Sequence, residues 1–256
     1  MLNTMRVDFR RLFSEKWICA IVGMVSVAFP FFLMAVLCVF GKAMNEKIIC
    51  ENSIFTSYAA MIPFYLAILM TFFLHAELED GILRNKFISG KKRTSVLLSY
   101  CSVAAVLAIV MQLLSIIFTA VFAVFLGLEF EAVTPMEIVH YTIITTLAGI
   151  TVGVFLAIVY LCFCNSKMAM VIPVGIAILM KIVLVEVLDK LYPESSVCTL
   201  TGTRLAVYTW IDRYVPFAHL IGELRWDTPS YLIGCGGWLI LSLVIGSIVF
   251  SRKDIK

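Results

Sequence analysis

The chain has 256 residues, 62% of them hydrophobic and only 14% charged, with a formal net charge of +3 and a mean hydropathy of +1.02. Soluble proteins average about 45–50% apolar and about 25% charged residues, and a globule of this size could not hide the surplus in its core. These figures exclude a soluble enzyme, a disordered chain and a nucleic-acid binder, and leave an all-α polytopic membrane protein.

The first element in chain order is an N-terminal arm, residues 1–16. Leu2, Met5, Phe9, Leu12 and Phe13 recur there at three-and-four spacing, with Arg6, Arg10 and Arg11 largely between them. This pattern suits an amphipathic helix lying in the cytoplasmic membrane interface, and equally an ordinary basic flank. Six stretches then reach the roughly 20 apolar residues that cross about 30 Å of hydrocarbon. They are 17–40, 56–75, 96–126, 138–164, 168–185 and 231–250. The first, 24 residues long, lacks a small-x-small cleavage site and reads as a retained anchor. Runs such as 61–74 and 103–111 do not alternate apolar and polar residues, as barrel strands would.

Between the second and third spans lies a cytoplasmic connection, residues 76–95. Leu78, Ile82, Leu83 and Phe87 form an apolar face, Gly81 and Gly90 punctuate the segment, and charges of both signs cover the rest. It reads as a short helix, a turn at Gly90 and a basic anchor re-entering the membrane. Glu77, Glu79 and Asp80 lie close together beside basic residues, which suits a binding surface better than an acid/base pair. Gln112, deep in the third span, is a candidate for lining a pathway. In the fourth span, Thr145, Gly149, Gly153 and Ala157 place a small residue at every fourth position. Such a face lets another helix approach closely, within the chain or across a dimer. The fifth span carries Lys181, which either marks a pathway or snorkels outward near Glu186 or Asp189. Pro30, Pro63 and Pro173 are candidates for kinks.

The fifth connection, residues 186–230, is aromatic and apolar over 201–226 yet contains Arg204, Asp212 and Arg213. It should settle at the outer interface, a passive lid on this reading, with Pro216 breaking any helix. Of the eight cysteines, only Cys50 and Cys198 fall in external connections, where a bridge is possible.

Orientation follows from charge placement. Of the twenty Lys and Arg, thirteen fall in the N-terminal arm, the second and fourth connections and the C-terminal tail. The positive-inside rule therefore puts both termini in the cytoplasm.

No catalytic or metal site is expected. The sequence has no G-x-x-x-x-G-K-[ST] phosphate loop, no H-E-x-x-H and no G-x-S-x-G, and His75, His140 and His219 are scattered.

The 76–95 connection resembles the first cytoplasmic loop of type-2 permeases of ATP-binding-cassette (ABC) exporters. Glu77 and Gly81 match that family's Glu-x-x-x-Gly element, and Ile82-Leu83-Arg84 matches its threonine-leucine-arginine run, with isoleucine replacing threonine. Gly90-Lys91-Lys92-Arg93 matches its Gly-Lys-x-Arg segment, and Phe250-Ser-Arg-Lys-Asp254 its closing phenylalanine-basic-basic-Asp pattern. The resemblance implies that Glu77, Leu78, Gly81, Ile82, Arg84, Phe87 and Arg93 couple the chain to a soluble ABC ATPase subunit. ATP and Mg would be bound by that subunit and not by this chain. It further implies short re-entrant helices in the 186–230 connection that cap the pathway on the outer side, a second permease copy or a related permease, contact with membrane lipid, and export of an amphipathic peptide or hydrophobic small molecule across a bacterial cytoplasmic membrane. Two other readings stay open: a non-transporting scaffold or sensor, and a polytopic membrane enzyme acting on lipid or peptide bonds.

Overall fold

The computed structural model describes residues 2–44, 58–127, 135–164, 168–193, 198, 200–221 and 228–252. Among them there are helices and turns and no strand. The helices in chain order are α1 (Leu2–Ser14), α2 (Lys16–Met44), α3 (Ile62–Glu79), α4 (Ile82–Ile88), α5 (Arg93–Phe125), α6 (Pro135–Phe163), α7 (Val171–Leu191), α8 (Gly202–Tyr214) and α9 (Thr228–Arg252). A short 3-10 turn at Ala218–Leu220 falls between α8 and α9 in chain order. The protein is an all-α polytopic membrane protein: α2, α3, α5, α6, α7 and α9 are the six described helices long and apolar enough to cross a bilayer. The expected fifth span stops at residue 185, but α7 runs on through Glu186 and Asp189 to Leu191, because its outer turns pack on α8. Cys50, and with it a bridge to Cys198, lies outside the described residues, as do Lys47, Lys167 and Arg225.

Helix α6 is the axis of the bundle, packing against α3, α5, α7, α9 and the 3-10 turn. Its small residues permit this, and they do so within the chain. A Cβ on Gly149 would sit 3.6 Å from Ile62 Cγ2 and 3.8 Å from Ala108 Cβ. One on Gly153 would sit 3.2 Å from Leu66 Cδ1 and 3.4 Å from the Ala104 carbonyl. Ala157 is fully buried on the same face. Thr145 accepts a 2.9 Å hydrogen bond from Gln112 Nε2 and donates to the Tyr141 carbonyl, clasping α5 to α6. Gln112 is thus a buried interhelical contact, 1% exposed, and not part of an open passage. Of the three prolines, only Pro30 sits well inside its helix. Pro63 falls in the first turn of α3, where its missing N–H costs nothing, and Pro173 is the third residue of α7.

Opposite the basic end of the bundle, α8 and the 3-10 turn form a cap over α6 and α9. Val215 is extended before Pro216, which ends α8 as expected. Asp212, 5% exposed, accepts a hydrogen bond from Tyr192 OH at 2.8 Å, and Arg213 Nε donates to Ser230 Oγ at 3.0 Å. The backbones of α8 and α9 touch at Gly234, where an added Cβ would lie 2.7 Å from the Tyr214 carbonyl oxygen. That atom is backbone and cannot swing away. Gly234→Ala should therefore lower the thermal midpoint in detergent, with a cost of about 1–3 kcal/mol. Gly237→Ala, where a Cβ meets nothing within 4 Å, should leave the midpoint unchanged; equal effects at both positions would refute the contact.

Candidate functional site

The structure brings the N-terminal arm, the 76–95 connection and the end of α9 together at one end of the bundle. The two glycines set the shape of the connection. Gly81, at φ 67°, ends α3 by donating to the Leu78 carbonyl, and its own carbonyl accepts from Asn85 N to open α4. Gly90, at φ 78°, closes α4 with paired bonds from Gly90 N to Phe87 O and from Lys91 N to Lys86 O. That pairing is a Schellman motif, which requires the left-handed conformation that other L-residues enter only at a cost of about 1–2 kcal/mol. A seven-residue helix is thereby fixed between two tight turns.

The side chains beneath α4 form a buried ionic cluster. Lys86, 9% exposed, reaches inward and donates to Asp8 Oδ1 at 2.6 Å, Glu77 Oε2 at 2.9 Å and Tyr100 OH at 2.8 Å. Tyr100 OH in turn donates to Glu77 Oε2 at 2.8 Å, and Ser99 Oγ donates to Asp8 Oδ2 at 2.6 Å. Arg11 completes the cluster from α1. Its NH2 donates to Asp80 Oδ2 at 2.6 Å, and its NH1 faces Glu77 Oε1 at 3.3 Å. That last contact is an ion pair without hydrogen-bond geometry, since Glu77 Oε1 accepts no hydrogen bond. Two buried carboxylates are matched by two cations, and each lysine proton has an acceptor. This balance of charge lets the carboxylates be buried, even with one Glu77 oxygen lacking a hydrogen bond.

The cluster decides how α1 lies. Its protein-facing edge is Thr4, Asp8 and Leu12, all buried against α5, while Val7 and Phe13 are exposed. The apolar stripe expected from spacing is split: Leu12 turns to the protein, Met5 and Phe9 are half-buried, and Phe13 faces outward. A single residue, Glu15, separates α1 from α2; its carbonyl accepts from Ile18 N and so starts the second helix.

On its other side the connection is tied to the chain end. Phe87 and Phe250 rings lie 6.2 Å apart, Arg93 sits over Phe87 at 5.4 Å, and Arg93 NH1 donates to the Phe250 carbonyl at 3.3 Å. Phe250 is 1% exposed. The loop and Phe250, far apart in sequence, are therefore one packed unit.

Of the residues assigned to coupling by resemblance, only Arg84 offers an exposed side chain. Glu77 is 1% exposed, while Leu78, Ile82, Phe87 and Arg93 are half-buried. Gly81 sets the turn. The free surface is instead Arg84, Asn85, Ile88, Lys91 and Lys92, with Ile88 standing 74% exposed among basic groups. Sequence reading missed Asp8, Arg11, Lys86, Ser99 and Tyr100 as members of the site. One signal for them was available: Thr4, Asp8 and Leu12 share a helix face at four-residue spacing, with an acid in the middle of a basic arm.

The histidines serve structure. His75 bridges Glu79, at 3.1 Å, and Tyr160 OH, at 3.3 Å. His140 meets Thr228 Oγ1 at 3.4 Å. In the outer cap, His219 Nε2 donates to the Arg213 carbonyl at 3.1 Å, which leaves Nδ1 to accept from Cys235 Sγ at 3.7 Å. Burial pushes the His219 pKa down to about 4, so the pair is neutral and unlike a catalytic thiolate–imidazolium couple.

No protein-family model matches the chain, and no curated protein matches it. The likeness to type-2 permeases rests on the loop and chain-end residues and on the six spans.

Two predictions test these placements. Lys86→Met should destabilise the protein by about 3 kcal/mol, because it leaves buried Asp8 without a cation and Glu77 with Arg11 alone. Asp8→Asn combined with it should cost much less than the sum of the two single changes; additive thermal midpoints would refute the cluster. For His219 the native pKa lies below the unfolded value near 6.5, so its stability contribution is complete above pH 6.5 and is lost as pH falls from there towards 4. At pH 5 the loss should be about 2 kcal/mol. The wild-type midpoint should drop between pH 7 and 5 by more than that of His219→Gln; parallel curves would show that His219 does not titrate in this way.

Proposed function

We propose that the chain is the membrane-spanning permease subunit of an ATP-driven ABC exporter, working with a separate soluble ATPase. The observation that carries this reading is the α4 unit: a short helix clamped from below by α1 and from the side by the end of α9, with a basic face around Ile88 left free. A connection serving topology alone needs no such clamp. A helix that receives force from a partner needs a rigid seat, so that its movement reaches α1, α3, α5 and α9 together. The absence of a phosphate loop from the sequence fits a chain whose ATP and Mg sit on its partner.

In this reading two permease chains, identical or related, pair in a bacterial cytoplasmic membrane and alternate between inward- and outward-facing states as the ATPases close and open. The cargo is an amphipathic peptide or a hydrophobic small molecule. Glu77, Gly81, Phe87 and Arg93 act by positioning α4, while Arg84 and Ile88 touch the ATPase. A scaffold that binds a cytoplasmic partner would use the same surface, and it differs in moving nothing.

Purification of the tagged chain from its native membrane should recover a stoichiometric soluble protein carrying a phosphate loop. Arg84→Glu and Ile88→Asp should each weaken that association about tenfold or more, with membrane insertion and thermal midpoint unchanged. ATP-dependent substrate movement in vesicles separates permease from scaffold. Recovery of intact complexes without any nucleotide-binding partner would overturn the proposal.

A further inference from the structure

Lys181 is the cation that neither the clamp at the basic end nor the cap accounts for, and it stands at mid-membrane depth. It is the midpoint of the 21-residue α7. Ten residues, about 15 Å, separate it from either end of that helix, farther than a lysine side chain reaches. The neighbouring helices give the same depth. Lys181 Nζ meets Met61 Sδ at 3.1 Å, and the next residue, Ile62, shares a contact with Gly149 and Ala108. Those two lie at or beside the midpoints of α6 and α5. The amine is half-buried and turned towards α3, where a thioether is a weak acceptor. Among the described residues it makes no ion pair: Glu186 is taken by Lys190, and Asp189 is exposed.

The amine borders a cavity of about 250 Å³ between α3, α7 and the cap, with otherwise apolar walls that include Pro63, Phe64 and Ile178. Phe217 of the cap walls it on the outer side and is itself packed on Phe155, ring centroids 6.2 Å apart. A second cavity, of about 320 Å³, adjoins the first at Ile178 and follows the same two helices to Val171, at the inner end of α7. Thr71 is the one polar side chain among the described residues lining it; it is 3% exposed, and its hydroxyl has no hydrogen-bond partner. The cleft therefore runs from the inner end of the bundle to mid-depth and stops at an unmatched cation beneath the cap. It is open sideways, for Ile182 and Val171 at its rim are 60% and 57% exposed.

We propose that this cleft holds an amphipathic cargo by its carboxylate, with the carboxylate on Lys181 and the apolar part extending towards Val171. The inference rests on the transport reading and gives it a substrate class, apolar molecules that carry one carboxylate. An ammonium at mid-depth is costly unless matched, and ionisable groups there mark the routes of molecules that cross. A resident lipid keeps its charged headgroup at the surface, about 15 Å away. A cargo whose charged end has to cross brings an anion to this level. A carboxylate makes a charge-assisted hydrogen bond to the ammonium. With an ordinary pKa of about 4 it can also shed its charge by taking up a proton as it moves on, whereas a phosphate diester stays charged. An apolar occupant, or the helix of a second copy laid in the cleft, leaves the lysine uncompensated.

The test uses the full chain in phosphatidylcholine nanodiscs, at a pH that ionises the probe. The probe is dodecanoic acid with a mid-chain diazirine, set beside its primary amide, and labelling is mapped by mass spectrometry. At subsaturating probe the acid should label 60–72 and 171–182 about tenfold more strongly than the amide, the lower end of what a hydrogen bond to a charged group contributes. Lys181→Gln should abolish that preference by lowering acid labelling and sparing the amide, while Lys181→Arg and the control Lys190→Gln should keep it. Equal labelling by acid and amide in the wild-type chain would overturn the proposal, a comparison that needs no variant to fold. So would a preserved preference in Lys181→Gln, or acid labelling confined to 186–192, which marks surface lipid. Absence of labelling in the cleft would do the same, since a second copy or a partner helix then fills it. No ATPase is present in this assay, so its failure leaves the ATPase association to its own test. Loss of that association would in turn leave a carboxylate site without a transport role.

Discussion

The basic end of this protein is organised around the cost of taking the Lys86 ammonium out of water. An unmatched charge there would be worth several kcal/mol against folding, so its neighbours are chosen by necessity. Asp8 comes from α1, Glu77 from α3 and Tyr100 from α5, and each must be in place for the others to be tolerated. The cluster is all-or-none in consequence. It makes four helices behave as one body, and it converts a loop into a fixed surface.

How this end relates to the rest of the bundle follows from α6. Where helices approach most closely, at Gly149 and Gly153, the contacts are with α3 and α5, the same two helices that supply Glu77 and Tyr100 to the cluster. The clamp and the bundle axis therefore share their supports. A displacement of α4 loads α3 through Gly81 and α5 through the Lys92–Arg93 turn before it reaches any other span. At the opposite end, the cap is held by the His219–Cys235 contact, by the Asp212 and Arg213 hydrogen bonds to Tyr192 and Ser230, and by backbone contact at Gly234, which depends on close fit.

The architecture was legible from the sequence because apolar length is a direct physical requirement of crossing a bilayer. Positive-φ glycines at 81 and 90 were equally legible, since they interrupt a helical pattern at both ends of a short segment. The assignment of surface and interior within the loop was not. Lys86 carries the same charge as Arg84 two residues earlier, and only the position of α1, more than seventy residues upstream, decides which one turns inward. The apolar face of the loop looked available because its cover, Phe250, comes from the far end of the chain. Small-residue spacing announced a close helix contact, and the identity of the partners, Ile62, Leu66, Ala104 and Ala108, had to come from the fold. Lys181 stood out in sequence, but the groove beside it is a property of two helices and could not be read from either one.

The sequence separation within the ionic cluster also bears on how the protein is made. Asp8 and Lys86 are 78 positions apart, so at about 5–20 residues per second the arm leaves the ribosome roughly 4–16 s before its lysine. Through that interval Asp8 and Arg11 have only water and lipid headgroups for company. The arm is thus parked at the membrane surface while two spans are inserted, and it locks down only when Lys86 and then Ser99 and Tyr100 arrive. Without the lysine, Asp8 would keep only the Ser99 hydroxyl as a partner within the cluster. The clamp therefore cannot close until the chain has been made as far as the third span, and the arm is the first element synthesised and among the last at this end to be fixed.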